Sequence, residues 1–338
     1  MSDDSFKGGG AGPAKSKDPA LSPPKFSDPF ITAKGQPRAR VGLHSLDTLW
    51  FNTGTLCNIE CANCYIFSSP KNDRLSYIQA AEAAGFLDEI KILGLDVREI
   101  GFTGGEPFMN PDILPMMADA LERGFEVLVL TNAMKPMLRP RMREGLLGLK
   151  KAHGERLTLR VSLDHYSKKF HEMERGGGSW KAVIEGLDWL SHHGFALNIA
   201  GRTCWNETIE AARKGYGRLF KARGYAIDAD HPGELVLFPE MDEMADVPEI
   251  TTACFGILGK KPEDLMCASS RMIVKPKDAA APVVQACTLL PYDEQFEMGA
   301  SLAQSLSISR GAIDKGDILL NHCHCAKFCM LGGGSCSV

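Results

Sequence analysis

The chain has 338 residues, 44% of them hydrophobic and 24% charged, with a formal net charge of -4 at pH 7. Such a chain buries a full core and carries no basic excess of the kind a nucleic-acid binder needs. No apolar run approaches the ~20 residues of a membrane-spanning helix, and the first residues lack the charged start and apolar stretch of a secretory signal, so the expected location is cytoplasmic, with neither nucleic acid nor membrane as partner.

Residues 1–40, from Met1 through Arg40, are rich in Gly, Pro, Ser, Lys and Asp without apolar periodicity, and read as a disordered tail. From Leu46 onward, short apolar runs alternate with longer amphipathic ones. Strands are predicted at Thr48–Thr53, Arg98–Thr103, Phe125–Thr131, Leu157–Leu163, Phe195–Ala200 and Glu234–Phe238, where Val, Ile, Leu and Phe concentrate. Helices are predicted at Ser76–Leu93, Pro111–Arg123, Pro140–Ala152, Ser179–His193 and Glu207–Arg223, several of them opened by Pro or Ser. The alternation defines an α/β fold, a partial (β/α)6 TIM-like barrel over residues 41–240. After Pro239 it stops, and residues 241–338 read as a small irregular Cys-rich C-terminal module with one hairpin around Arg271–Ala286.

Eleven cysteines in a reducing compartment are metal ligands or reactive thiols before they are disulfides. Cys57, Cys61 and Cys64 fall in the loop after the first strand, on the face where strand ends of such barrels carry chemistry. Three thiolates are one short of a closed site; they can hold three irons of a [4Fe–4S] cluster and leave the fourth open to a bound molecule. Zinc, or a chance group of buried cysteines, is the alternative, and zinc would want a fourth protein ligand. The Cys-x3-Cys-x2-Cys spacing resembles that of the radical S-adenosylmethionine (radical SAM) superfamily; Asn63 stands where many members have an aromatic residue, and Tyr65 follows the last Cys instead.

At the end of the second strand lies Gly104-Gly105-Glu106-Pro107, about 40 residues after the cysteines. Paired glycines let backbone amides and carbonyls approach a ligand closely. The resemblance implies that this stretch binds the amino group of the methionine part of S-adenosylmethionine. Ser162 at the fourth strand end and Arg175 ahead of Gly176-Gly177-Gly178 suit a carboxylate, which Arg grips bidentately. This is similar to the peptide-modifying and sulfatase-maturing branch of the superfamily, where such a pair holds the cofactor's carboxylate. Thr131-Asn132 after the third strand is placed in the same cavity, and the strand containing Asn198–Gly201 against the adenine. No residue is singled out as catalytic acid or base.

Cys267 and Cys287 flank the predicted hairpin, and Cys323, Cys325, Cys329 and Cys336 close the chain with His322 and His324 among them. That density points to a second metal centre, with redox-active thiols or a zinc knuckle as the alternative. The arrangement is similar to the C-terminal SPASM and twitch modules of radical SAM enzymes, and implies an auxiliary [4Fe–4S] cluster. The hairpin loop is longer than usual, and no Cys-x2-Cys pair follows.

The resemblance as a whole implies an enzyme that reductively cleaves S-adenosylmethionine to a 5′-deoxyadenosyl radical, with electrons from a reductant such as flavodoxin or ferredoxin. A peptide or small-molecule substrate would then be oxidised or cross-linked after hydrogen abstraction. A non-catalytic iron–sulfur carrier or scaffold is the rival; a carrier has no need of the strand-end Gly-Gly-Glu-Pro.

Overall fold

The computed structural model describes residues 23–307 and 317–332. After a short strand β1 (Arg40–Val41), six strands β2 (Thr48–Asn52), β3 (Glu99–Thr103), β4 (Glu126–Thr131), β5 (Leu157–Ser162), β6 (Ala196–Arg202) and β7 (Leu235–Phe238) pair in parallel and in chain order. Helices α1 (Ala80–Leu93), α2 (Ile113–Glu122), α3 (Pro140–His153), α4 (Lys168–Arg175), α5 (Ser179–His192) and α6 (Ile209–Arg223) fill the crossovers. All six predicted strands and all five predicted helices are present within a few residues of their expected ends. Parallel pairing demands such crossovers, and the α/β partial barrel is the result.

Successive strand residues point to opposite faces. Leu49, Phe51, Phe102, Val127 and Val129 face the helices in the main core, while Trp50, Leu128 and Met272 cluster on the other face. Gly101 is required on that inner face because a Cβ there would lie 2.3 Å from the Trp50 ring.

Two expectations are corrected. The predicted hairpin is β8 (Ser270–Val274) and β9 (Val283–Gln285), but it is not set apart: β8 pairs in parallel with β2 on the side away from β3, with Leu49 opposite Arg271. Without it β2 would be an edge strand with unpaired backbone groups, so a boundary at residue 240 cuts through one sheet. The rest of the C-terminal region adds α7 (Thr252–Leu258), α8 (Leu302–Ser307), β10 (Ile318–Leu319) and a π-helical stretch, Cys325–Leu331.

The tail, expected as disordered through residue 40, is ordered over its described part, 23–40. Val41 and Arg40 pair with Ile318 and Leu319, Ala39 is fully buried, and the Arg38 guanidinium holds Glu249 at 2.7 Å. Polar composition hid this because the segment is anchored by charge and backbone pairing and not by an apolar stripe. Burial raises the Glu249 carboxyl, but donors from Phe26 N, Arg38 and Ala33 N outweigh it and leave it below its ordinary value. Glu249→Ala strands a buried guanidinium and is expected to cost about 3–5 kcal/mol at neutral pH. A group with a lowered carboxyl stabilises fully above its unfolded pKa of about 4.3 and loses that contribution as pH falls through the folded value. Denaturant titrations at pH 7 and pH 3.5 should therefore show the gap between wild type and variant closing in acid.

Candidate functional site: a three-cysteine cavity at the strand ends

The C-terminal ends of the barrel strands open into one cavity bordered by Cys57, Cys61, Cys64, Gly104, Gly105, Asn132, Ser162 and Arg175. These residues come from the ends of β2, β3, β4 and β5 and from α4, separated by up to 118 positions in sequence. Ala200, on β6, borders it too.

The loop carrying the cysteines is held from two sides. From the β3 side, Gly105 N donates to Gly54 O at 2.8 Å and Glu106 N to Leu56 O at 3.1 Å. Gly104 has φ 131°, and a Cβ at Gly105 would meet Leu56 O at 2.2 Å. The glycine pair thus admits the backbone of the cysteine loop, in addition to bordering the cavity.

The other hold comes from α4, an element the sequence reading missed. Glu174 accepts from Asn63 N at 2.9 Å and from Asn63 Nδ2 at 2.7 Å, and its carbonyl accepts from Ala62 N at 2.8 Å. Arg202, at the end of β6, donates to Asn63 O at 2.8 Å and lies 3.7 Å from the Glu174 carboxylate. Asn63 is thus a polar latch on the cysteine loop. The missed signal was Ser167 before the helix and Gly176 after it. The buried residues of α4 are His171 and Glu174, which leave no apolar periodicity to detect.

Arg175 points its fork at protein. Its Nε donates to Asp164 Oδ2 at 2.5 Å and Nη2 to Asp164 Oδ1 at 3.2 Å, with Arg202 Nε 3.4 Å from the same carboxylate. The bidentate grip expected for a ligand is therefore occupied by Asp164, and Arg175 meets the cavity as a pre-positioned cation. Burial opposes the Asp164 charge, but the two guanidinium groups overcome it and hold its carboxyl below the usual value.

Glu106 sits behind the wall. Only 1% exposed, its carboxylate accepts from Thr131 Oγ1 at 2.8 Å, Asn132 N at 2.8 Å and Phe108 N at 3.2 Å. Burial lifts its carboxyl to about 7 against those donors. Pro107 is buried beside it and starts a 3-10 turn. Neither borders the cavity, unlike their neighbours Gly104 and Gly105. Asn132 links the wall to the cysteine loop, donating to Asn58 Oδ1 at 2.9 Å and lying 3.8 Å from Cys57 Sγ.

The donor set suits a cluster better than a single ion. Tetrahedral zinc, with Zn–S of about 2.3 Å, needs sulfurs roughly 4 Å apart. Among the described residues the ligand atoms grouped closely enough to hold one ion are those of His322, Cys323 and His324, within 4.8 Å of one another, and the three loop sulfurs are not in that group. Burial pushes the Cys57 thiol up to about 12 and also raises Cys61. Such thiols give up their protons to a metal, not to water.

In the C-terminal region, Cys325 is buried, its thiol raised by burial and by the neighbouring Cys287, Cys267 and Cys323. Cys267, Cys287 and Cys329 pack against the main core beside it. Cys325 and Cys329 sit four residues apart in the π-helical stretch, which places them on nearly one face. Cys323 lies 3.6 Å from His322 Nδ1 and 3.9 Å from His324 Nδ1. Cys336 lies outside the described residues. Leu289 and Phe328 from this region close the far side of the cavity, with Met241 and Phe238.

Residues 51–210 match the model of the Radical SAM superfamily. It is 28% identical over 172 residues to the antilisterial bacteriocin subtilosin biosynthesis protein AlbA of Bacillus subtilis, covering 50% of this chain and 35% of AlbA. It is 26% identical over 156 residues to the mycofactocin maturase MftC of Mycobacterium ulcerans, covering 45% of this chain and 39% of MftC. The matches thus span well under half the length of these relatives. The fold is that of Streptococcus suis SuiB bound to S-adenosylmethionine, with a TM-score of 0.55 at 13% identity over 76% of this chain and 64% of that one.

Proposed function

We propose that the chain reductively cleaves S-adenosylmethionine and uses the resulting radical to oxidise or cross-link a peptide. The observation that carries this reading is the single cavity in which three cysteines meet the strand-end residues of the barrel on one side and the C-terminal region on the other. When bound, the cluster would supply one electron to S-adenosylmethionine, whose cleavage to methionine and a 5′-deoxyadenosyl radical would provide the group that abstracts hydrogen from a substrate.

The chain's own residues bind, orient and shield. Cys57, Cys61 and Cys64 hold the cluster. Gly104, Gly105 and Asn132 line the side nearest β3 and β4, where the methionine amino group would lie, and Glu106 supports that wall from behind. Ser162 and the Arg175 cation face the carboxylate end. Leu289, Phe328, Phe238 and Met241 give the opposite side an apolar surface that excludes water. Cys267, Cys287, Cys325 and one of Cys323, Cys329 and Cys336 would supply an auxiliary [4Fe–4S] cluster, suited to electron transfer because four thiolates close it. A flavodoxin or ferredoxin would provide the electron. The names of the relatives, a bacteriocin biosynthesis protein and a maturase, favour a peptide over a small metabolite.

Anaerobically reconstituted protein, given dithionite and S-adenosylmethionine, is expected to release 5′-deoxyadenosine, read by mass spectrometry. A protein that holds its full iron yet releases none would leave the iron–sulfur carrier as the better reading.

A further inference from the structure

Among the described residues, Arg271 is a buried cation without a counter-ion. It is the second residue of β8, 0% exposed, on the strand face shared with Ile273 and away from the inner residues Met272 and Val274. Its Nη1 donates to Cys267 O at 2.7 Å and to Ser270 O at 2.8 Å. Nε and Nη2 are buried and have no hydrogen-bond partner. Among the described residues no carboxylate pairs with it, whereas the buried Arg38 and Arg175 hold Glu249 and Asp164.

An unpaired buried charge costs several kcal/mol, and chains keep one where something of opposite sign faces it. A [4Fe–4S] cluster closed by four thiolates is a net anion with sulfurs that accept hydrogen bonds, and both net charge and such bonds set its potential. Building on the auxiliary cluster of the function proposed above, we propose that Arg271 is that cluster's counter-ion and hydrogen-bond donor: its unpartnered Nε–H and Nη2–H serve the cluster sulfurs beside Cys267 and raise its reduction potential. Reduction adds negative charge, so a fixed cation nearby favours the reduced form. Arg271 is a positioning and tuning residue, not a catalytic one.

The test uses full-length protein with Cys57, Cys61 and Cys64 all replaced by Ala, so that any remaining cluster is the C-terminal one. Iron analysis comes first. A background without iron–sulfur absorbance overturns the auxiliary cluster and Arg271's role together, before any potential is measured. With the cluster present, potentiometric titration followed by electron paramagnetic resonance should show Arg271→Met shifting the equilibrium at least tenfold toward the oxidised form, a potential about 59 mV lower for a one-electron couple. Arg271→Lys, which keeps the charge and loses the fork, should fall between. An unchanged potential in Arg271→Met overturns the proposal and leaves the cluster standing. If Arg271→Met does not assemble, the unsubstituted protein decides. Labelled with 15N in the arginine guanidinium groups, its reduced cluster should show a 15N coupling that Arg271→Lys loses, and absence of that coupling overturns the proposal.

Discussion

Glu174→Ala is expected to strip most of the iron from the cysteine loop after β2 while leaving the barrel folded. The substitution removes the acceptor of two Asn63 hydrogen bonds and a carboxylate beside Arg202, all next to the loop that carries Cys61 and Cys64. Breaking a buried charged contact of this kind costs about 3–5 kcal/mol. Here the cost falls on a loop rather than on the sheet, whose strands are paired along their lengths by backbone bonds. Iron content is best read with Cys267 and Cys287 also replaced, so that only the loop contributes. Glu174→Gln keeps an acceptor for Asn63 N and loses the charge, and should retain an intermediate amount. Full iron in Glu174→Ala would show that the latch is dispensable.

The next residue should behave in the opposite way. Arg175→Ala is expected to leave iron at the loop nearly unchanged and to weaken S-adenosylmethionine binding. A hydrogen bond to a charged group is worth about 1.5–3 kcal/mol, roughly a 10- to 150-fold change in dissociation constant. Because Asp164 already occupies two of the Arg175 donors and offsets part of its charge, the lower end of that range applies. Arg175→Lys keeps the charge without the fixed fork and should lie between. Equilibrium binding to the reconstituted, oxidised protein measures this without turnover. Unchanged affinity would remove Arg175 from the cofactor site.

The barrel was legible because each strand is a dense β-branched or apolar run and each helix has length and a starting residue, as in Glu126–Thr131 followed by Pro140–His153. The strand-end residues Gly104, Gly105, Asn132 and Ser162 border one cavity together with Arg175 of α4, because parallel strands in register bring their ends together. What stayed hidden was made of charge and of pairing between distant segments. Asp164 taking the Arg175 fork, Glu174 latching Asn63, and Glu249 anchoring residues 26–38 are contacts between polar residues with no periodicity. The inward turn of Glu106 was also hidden, since its partners Thr131 and Asn132 lie a strand away. The same holds for β8, a short strand whose place beside β2 depends on which edge lacked a partner.

The central claim is that the cluster held by Cys57, Cys61 and Cys64 keeps one iron open to S-adenosylmethionine. Electron paramagnetic resonance of the dithionite-reduced cluster, recorded with and without S-adenosylmethionine, tests it most directly. In protein lacking Cys267 and Cys287, the signal should shift when S-adenosylmethionine is added. In protein lacking Cys57, Cys61 and Cys64, the remaining signal should not respond. A shift that survives loss of the three loop cysteines, or a loop cluster whose signal ignores S-adenosylmethionine, would contradict the account.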